Sequence, residues 1–139
     1  MRQIVVDTNV FIAALRSQLG ASFKLFTLLE STKFAVNLSV PLAAEYEDVA
    51  KRQLDEIGLS EQDVDDILDF VFSIANLRKV YYLWRPFLKD AKDDMVLELA
   101  VSAGCEIIVT YNIKDFRGVE QFGIRTMTPV EFLQTIGEL

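Results

Sequence analysis

Hydrophobic positions in this chain follow two alternating patterns. Short aliphatic or aromatic runs at 2–6, FAVNL (34–38), KVYYLW (79–84), EIIVT (106–110) and IRTM (124–127) predict strands. Nearly continuous apolar runs of this kind belong to strands covered on both faces. Between them, apolar residues recur at helical spacing. Helices are predicted over about 9–17 and 20–31, from Ser39 and Pro41 through LAAEYEDVAKR, and over about 60–76. Two more follow, DDMVLELAVSAG and a terminal helix after Thr128-Pro129. Ser60 and Asp63 have the spacing of a capping box, and Gly104 suits the residue just past a helix end. RPFLKDAK and TYNIKDF read as loops.

Strands that alternate with helices in this way predict an α/β domain with a mostly parallel central sheet covered on both faces. At 139 residues the whole chain, 1–139, reads as one domain with a sizeable core. Ligands of such sheets gather beyond the carboxyl ends of the strands. Asp7 ends the first strand, Glu45 follows the second within a helix, Asp94 opens a later helix, and Asn112 and Asp115 follow IIVT. Parallel strands bring all of them to one edge.

Helical phase sharpens two of these positions. Among the acids of LAAEYEDVA, Glu45 lies closest to the apolar arc set by Leu42, Tyr46, Val49 and Ala50. In DDMVLELAVSA only a narrow polar stripe remains, made of Asp94, Glu98 and Ser102, and it must face something polar. Taken alone, Asp94 reads equally well as a complement to the helix dipole, and Asp7 as a turn or cap residue bonding nearby amides. Convergence changes the balance. Carboxylates crowded on one edge repel one another unless a cation neutralises them. Oxygen donors without nitrogen or sulfur suit Mg²⁺ or Mn²⁺.

Composition narrows the chemistry. Histidine is absent and Cys105 is the single cysteine, which excludes Ser-His-Asp and Cys-His mechanisms, zinc cages and an internal disulfide. The lone thiol fits a reducing cytosol, and neither a secretory signal nor a membrane span is read, so a cytoplasmic protein is expected. The net charge of −7 argues against a general nucleic-acid binder, but the charge is segregated. Residues 45–69 carry ten acids against Lys51 and Arg52, read as a solubilising face. Arg78, Lys79, Arg85, Lys89 and Lys92 fall in a stretch whose one acid is Asp90. That stretch is either a solvated loop or a seat for a nucleic-acid backbone, through Arg85, Lys89 and Lys92. Trp84, Phe87, Tyr111 and Phe116 are candidates for base stacking, although core packing explains each singly.

IVVDTNVFIAAL, LAAEYEDV and KDDMVLELAVSAGCEIIVTYNIKDF together resemble the PIN (PilT N-terminal) domain ribonucleases, most closely the toxins of toxin–antitoxin pairs. The resemblance implies a three-layer α/β/α sandwich and an endoribonuclease dependent on one or two Mg²⁺ or Mn²⁺ ions. It carries metal and catalytic roles to Asp7, Glu45 and Asp94. Thr8 and Asn9 match pocket-shaping positions, and Thr110 and Glu98 are placed with them. Many relatives carry Asp where Asn112 stands, so Asn112 offers an oxygen and Asp115 takes the acidic role. RNA as substrate, a small antitoxin partner and a homodimer are further implications. The alternative is a catalytically inactive PIN-like module that binds RNA or a protein. A haloacid-dehalogenase-type phosphohydrolase would need an acid where Asn9 stands, and a receiver domain would need an acidic pair after the first strand.

Overall fold

The computed structural model describes residues 1–80 and 87–139. β1 (Arg2–Val6), β2 (Phe34–Leu38), β3 (Asn76–Leu77), β4 (Ile107–Val109) and β5 (Arg125–Met127) form one sheet in the order β3-β2-β1-β4-β5. Every pairing is parallel, with Ile4 opposite Val36 on one side and Ile107 on the other. The helices are α1 (Thr8–Arg16), α2 (Ala21–Thr27), α3 (Val40–Lys51), α4 (Leu54–Ile57), α5 (Glu61–Ile74), α6 (Ala91–Ser102) and α7 (Pro129–Thr135). Consecutive residues Ile4, Val5 and Val6 are all fully buried, as are Ile107, Ile108 and Val109. Successive side chains point to opposite faces of a strand, so both faces are covered and the domain is a three-layer α/β/α sandwich.

Local chemistry fixes the helix starts. Ser39 Oγ accepts the Leu42 N–H, and Ser60–Asp63 and Thr128–Glu131 form reciprocal capping boxes. Phe11 stacks on Tyr46 with ring centroids 4.5 Å apart, which locks α1 against α3. The Tyr46 hydroxyl donates to the carbonyl of Val6 at the end of β1, directly before Asp7.

One strand differs from expectation. The helix expected to run to 76 stops at Ile74, and β3 begins at once as Asn76–Leu77. Lys79 and Val80 are not in a strand, and the rest of the expected strand, residues 81–84, lies outside the described residues. Polar groups place β3. Buried Asn37 donates to Gln3 Oε1 at 3.0 Å, Asn76 donates to the same oxygen at 3.3 Å, and Arg78 Nε donates to Asn37 Oδ1 at 2.9 Å. A reading of hydrophobic runs is blind to such a network.

The chain winds outward from β1 through β2 to β3, then returns to β4 and β5 on the other side of β1. The sheet order therefore reverses between β1 and β4. That switch point opens a crevice at the carboxyl ends of the two strands.

Candidate active site

Asp7 and Thr110 occupy the crevice from its two sides, each one residue past its strand. Asp7 is buried and caps α1: its Oδ1 accepts the Thr8 N–H at 2.8 Å, and its Oδ2 accepts the Thr110 hydroxyl at 2.8 Å. Asn9 bridges the same pair, donating to Asp7 Oδ2 and Thr110 Oγ1 at 3.4 Å each, while its Oδ1 accepts the Tyr111 N–H at 3.3 Å. Thr110 Oγ1 also accepts the Asn112 N–H at 3.0 Å. Thr8, Asn9 and Thr110 thus hold the Asp7 carboxylate in place.

A cleft of about 690 Å³ opens over this assembly. Asp7, Glu45, Asp90, Asp93 and Asp115 bring five carboxylates to its walls, with Asn112 beside them and Arg16 and Lys92 as the cations. Burial pushes the Asp7 carboxyl above its ordinary value. Asp115 and Glu45 push it further, against the two hydrogen bonds from Thr110 and Thr8. Asp93 is pushed up to about 7, by burial first and then by Asp7, Asp90, Asp115 and Asp94. Burial and the Asp7 charge also raise the Tyr46 hydroxyl beneath the site. The cleft is short of positive charge.

α6 places one expected ligand away from the cleft. Asp94 does not line the cleft; it is buried, and its Oδ1 accepts the Leu88 N–H at 2.8 Å. Asp93 takes its place on the wall. The helix starts at Ala91 with Asp90 as its cap, two residues earlier than expected, so Asp93 falls at the third helical position and Asp94 turns inward. Glu98, one turn beyond Asp94, is buried too and does not line the cleft. The stripe of Asp94 and Glu98 faces the protein interior.

The basic candidates separate. Lys92 lines the cleft and reaches Glu45, with Nζ 3.4 Å from Oε1. Lys89 lines a neighbouring cleft, and Arg85 and Trp84 lie outside the described residues. Tyr111 lines the cleft with its hydroxyl 2.6 Å from Ser22 Oγ, whereas Phe116 is fully buried in the core. Cys105 is a packed thiol, raised by burial to about 12. Arg16 and Gln53, joined by a hydrogen bond, also line the cleft, and no pattern in the sequence marked them.

Oxygen donors of this kind fit a hard divalent cation in chemistry and in charge. Among the described residues, however, no three acidic side chains are gathered closely enough to hold an ion as they stand. Glu45 is instead drawn toward Lys92.

An acid-lined crevice at the switch point of a parallel sheet defines a class of α/β proteins, and comparison with known proteins names the family. The sequence profile of the PIN domain matches residues 3–114, and the chain belongs to that family. Its fold is similar to that of VapBC-1 from nontypeable Haemophilus influenzae, with a TM-score of 0.66 and 14% identity, over 92% of this chain and 98% of that one. It is also similar to VapBC2 from Rickettsia felis, solved bound to a DNA fragment from their promoter, with a TM-score of 0.63 and 14% identity over 89% and 98% of the two chains. No curated protein matches the sequence significantly. No helix among the described residues is long and apolar enough to cross a membrane.

Proposed function

We propose that this protein is a divalent-metal-dependent endoribonuclease that hydrolyses RNA phosphodiester bonds. The observation that carries the reading is geometric: Asp7, Glu45, Asp93, Asp115 and Asn112, far apart in sequence, line one cleft at the switch point of the parallel sheet. Asp7, Glu45, Asp93 and Asp115, with the side-chain oxygen of Asn112, are the residues that would hold Mg²⁺ or Mn²⁺. A divalent ion bound there supplies the Lewis acidity that activates water and stabilises charge on the phosphoryl and leaving oxygens.

The chain's own residues have separate tasks. Thr110 and the Thr8 N–H fix both Asp7 oxygens, so the carboxylate is oriented before substrate arrives. Asp94 acts through position: by accepting the Leu88 N–H it ties the segment entering α6 to the helix and sets the direction of Asp93. Lys92 balances Glu45 in the free protein and, on releasing it, places an ammonium beside the path of the phosphate.

In the cell we place the protein in the cytoplasm as the toxin of a toxin–antitoxin pair, acting as a homodimer and restrained by a small antitoxin. Family membership and the fold likeness to two VapBC proteins support this assignment. The test is incubation of single-stranded RNA with protein and Mn²⁺ or Mg²⁺. Cleavage that stops with EDTA and with Asp7→Asn or Asp93→Asn is expected. Intact RNA at high protein and metal, with tight binding retained, would show a binding module without activity.

A further inference from the structure

Beyond Asp93 and Asp115 the surface folds into a second cleft, of about 470 Å³. Asp90, Asp93 and Asp115 line both clefts, so the second is a direct continuation of the first across the carboxylate wall. Its other side is basic, formed by Lys89, Lys114 and Arg117, with Phe87 at its base. None of these three cations has an ion pair or hydrogen bond among the described residues, although three carboxylates share the cleft. Elsewhere on the surface Arg16, Lys33, Lys51 and Arg52 each pair with an acid within 3.3 Å. The Phe87 ring meets Phe122 edge-on at 5.1 Å, and a Cβ on Gly118 would lie 3.2 Å from it. Gly118, with φ +93°, gives the ring its place.

We propose that this second cleft seats the nucleotide next to the scissile phosphate of single-stranded RNA. Lys114 and Arg117, with Lys89 on the same basic side, hold its backbone phosphate, and the Phe87 ring contacts the base. The proposal rests on the ribonuclease reading for the direction of the strand, which crosses from the Asp7 side over Asp93 and Asp115 into the basic pocket. Unpaired cations set against a metal-binding wall suit a polyanion that runs past the metals. A solubilising face on a protein of net charge −7 would need no such grouping.

The test is fluorescence anisotropy of a fluorescein-labelled single-stranded RNA with Ca²⁺ present, read immediately after mixing over a range of salt concentrations. Lys114→Gln with Arg117→Gln is expected to weaken binding roughly tenfold and to flatten the slope of log Kd against log salt by about 0.7 for each phosphate no longer neutralised. Arg125→Gln, at the opposite end of the strands, leaves both unchanged, and Arg117→Lys keeps most of the slope. All these side chains are exposed, and matching melting curves confirm that the variants fold. Equal affinity and slope in the double variant and the parent overturn the proposal, whether or not the parent cleaves RNA in Mn²⁺. A parent that binds with the expected slope change but never cleaves supports the subsite and overturns the ribonuclease reading.

Discussion

The hydroxyl of Thr110 donates to Asp7 Oδ2 at 2.8 Å, joining the carboxyl ends of β1 and β4 at the reversal of the sheet. The same hydroxyl oxygen receives the Asn112 N–H, so one side chain organises both halves of the crevice. Thr110→Val keeps the shape and removes both bonds together with the longer one donated by Asn9. We expect Mn²⁺ affinity to fall about tenfold, and stability by about 1–2 kcal/mol. Thr110→Ser should restore most of each, as read by calorimetric titration and chemical denaturation.

Asp93 and Asp94 are adjacent in sequence and opposite in expected behaviour. Asp93→Asn should reduce RNA cleavage more than about a hundredfold while the fold stays intact. Asp94→Asn still offers Leu88 an acceptor oxygen and should leave cleavage within about threefold. Asp94→Ala abandons a buried N–H and should cost about 1–3 kcal/mol. Steady-state cleavage rates and urea melts of the three variants decide between the roles.

The carboxylate wall predicts an unusual pH dependence. Asp93 titrates at about 7 in the folded, metal-free protein and near its ordinary 3.8 when unfolded. The folded state therefore holds more protons across that interval, and stability falls as pH rises through it. Asp7, also raised, adds the same sign. In EDTA the Tm should be higher at pH 5 than at pH 8, a difference that Asp93→Asn reduces. Mn²⁺ should raise the Tm more at pH 8 than at pH 5.

Lys92 and Glu45 form a partly exposed ion pair, so breaking it should change stability by less than about 1 kcal/mol. Its effect belongs to metal binding. Lys92→Gln removes a competing ammonium and should tighten Mn²⁺ binding by roughly two- to fivefold, measured by calorimetry. An unchanged Mn²⁺ affinity with a raised KM for RNA would assign Lys92 to substrate alone.

The sheet was readable because its strands are buried on both faces: FAVNL at 34–38 and IIV within EIIVT carry the signal without help from tertiary contacts. β3 escaped because two residues held by Asn37, Gln3 and Arg78 have no hydrophobic period. The convergence of Asp7, Glu45, Asn112 and Asp115 followed from parallel topology alone. Asp93 did not. α6 is apolar around most of its circumference, so its phase is undefined by pattern, and the start of the helix decides which acid faces the cleft. The earlier start was legible in one signal, the Asp90 side chain capping the Lys92 N–H, a common role for Asp before a helix. Lys114 and Arg117 flank Asp115 and Phe116 in a turn whose direction only the folded chain sets.

The most direct test is a crystal of the protein soaked in Mn²⁺, with the ion located by its anomalous scattering. A peak is expected in the crevice between β1 and β4, coordinated by the carboxylates of Asp7 and Asp93, with Glu45 released from Lys92. A crevice without manganese at millimolar concentration, or an ion held by Asp94 in place of Asp93, would contradict this assignment.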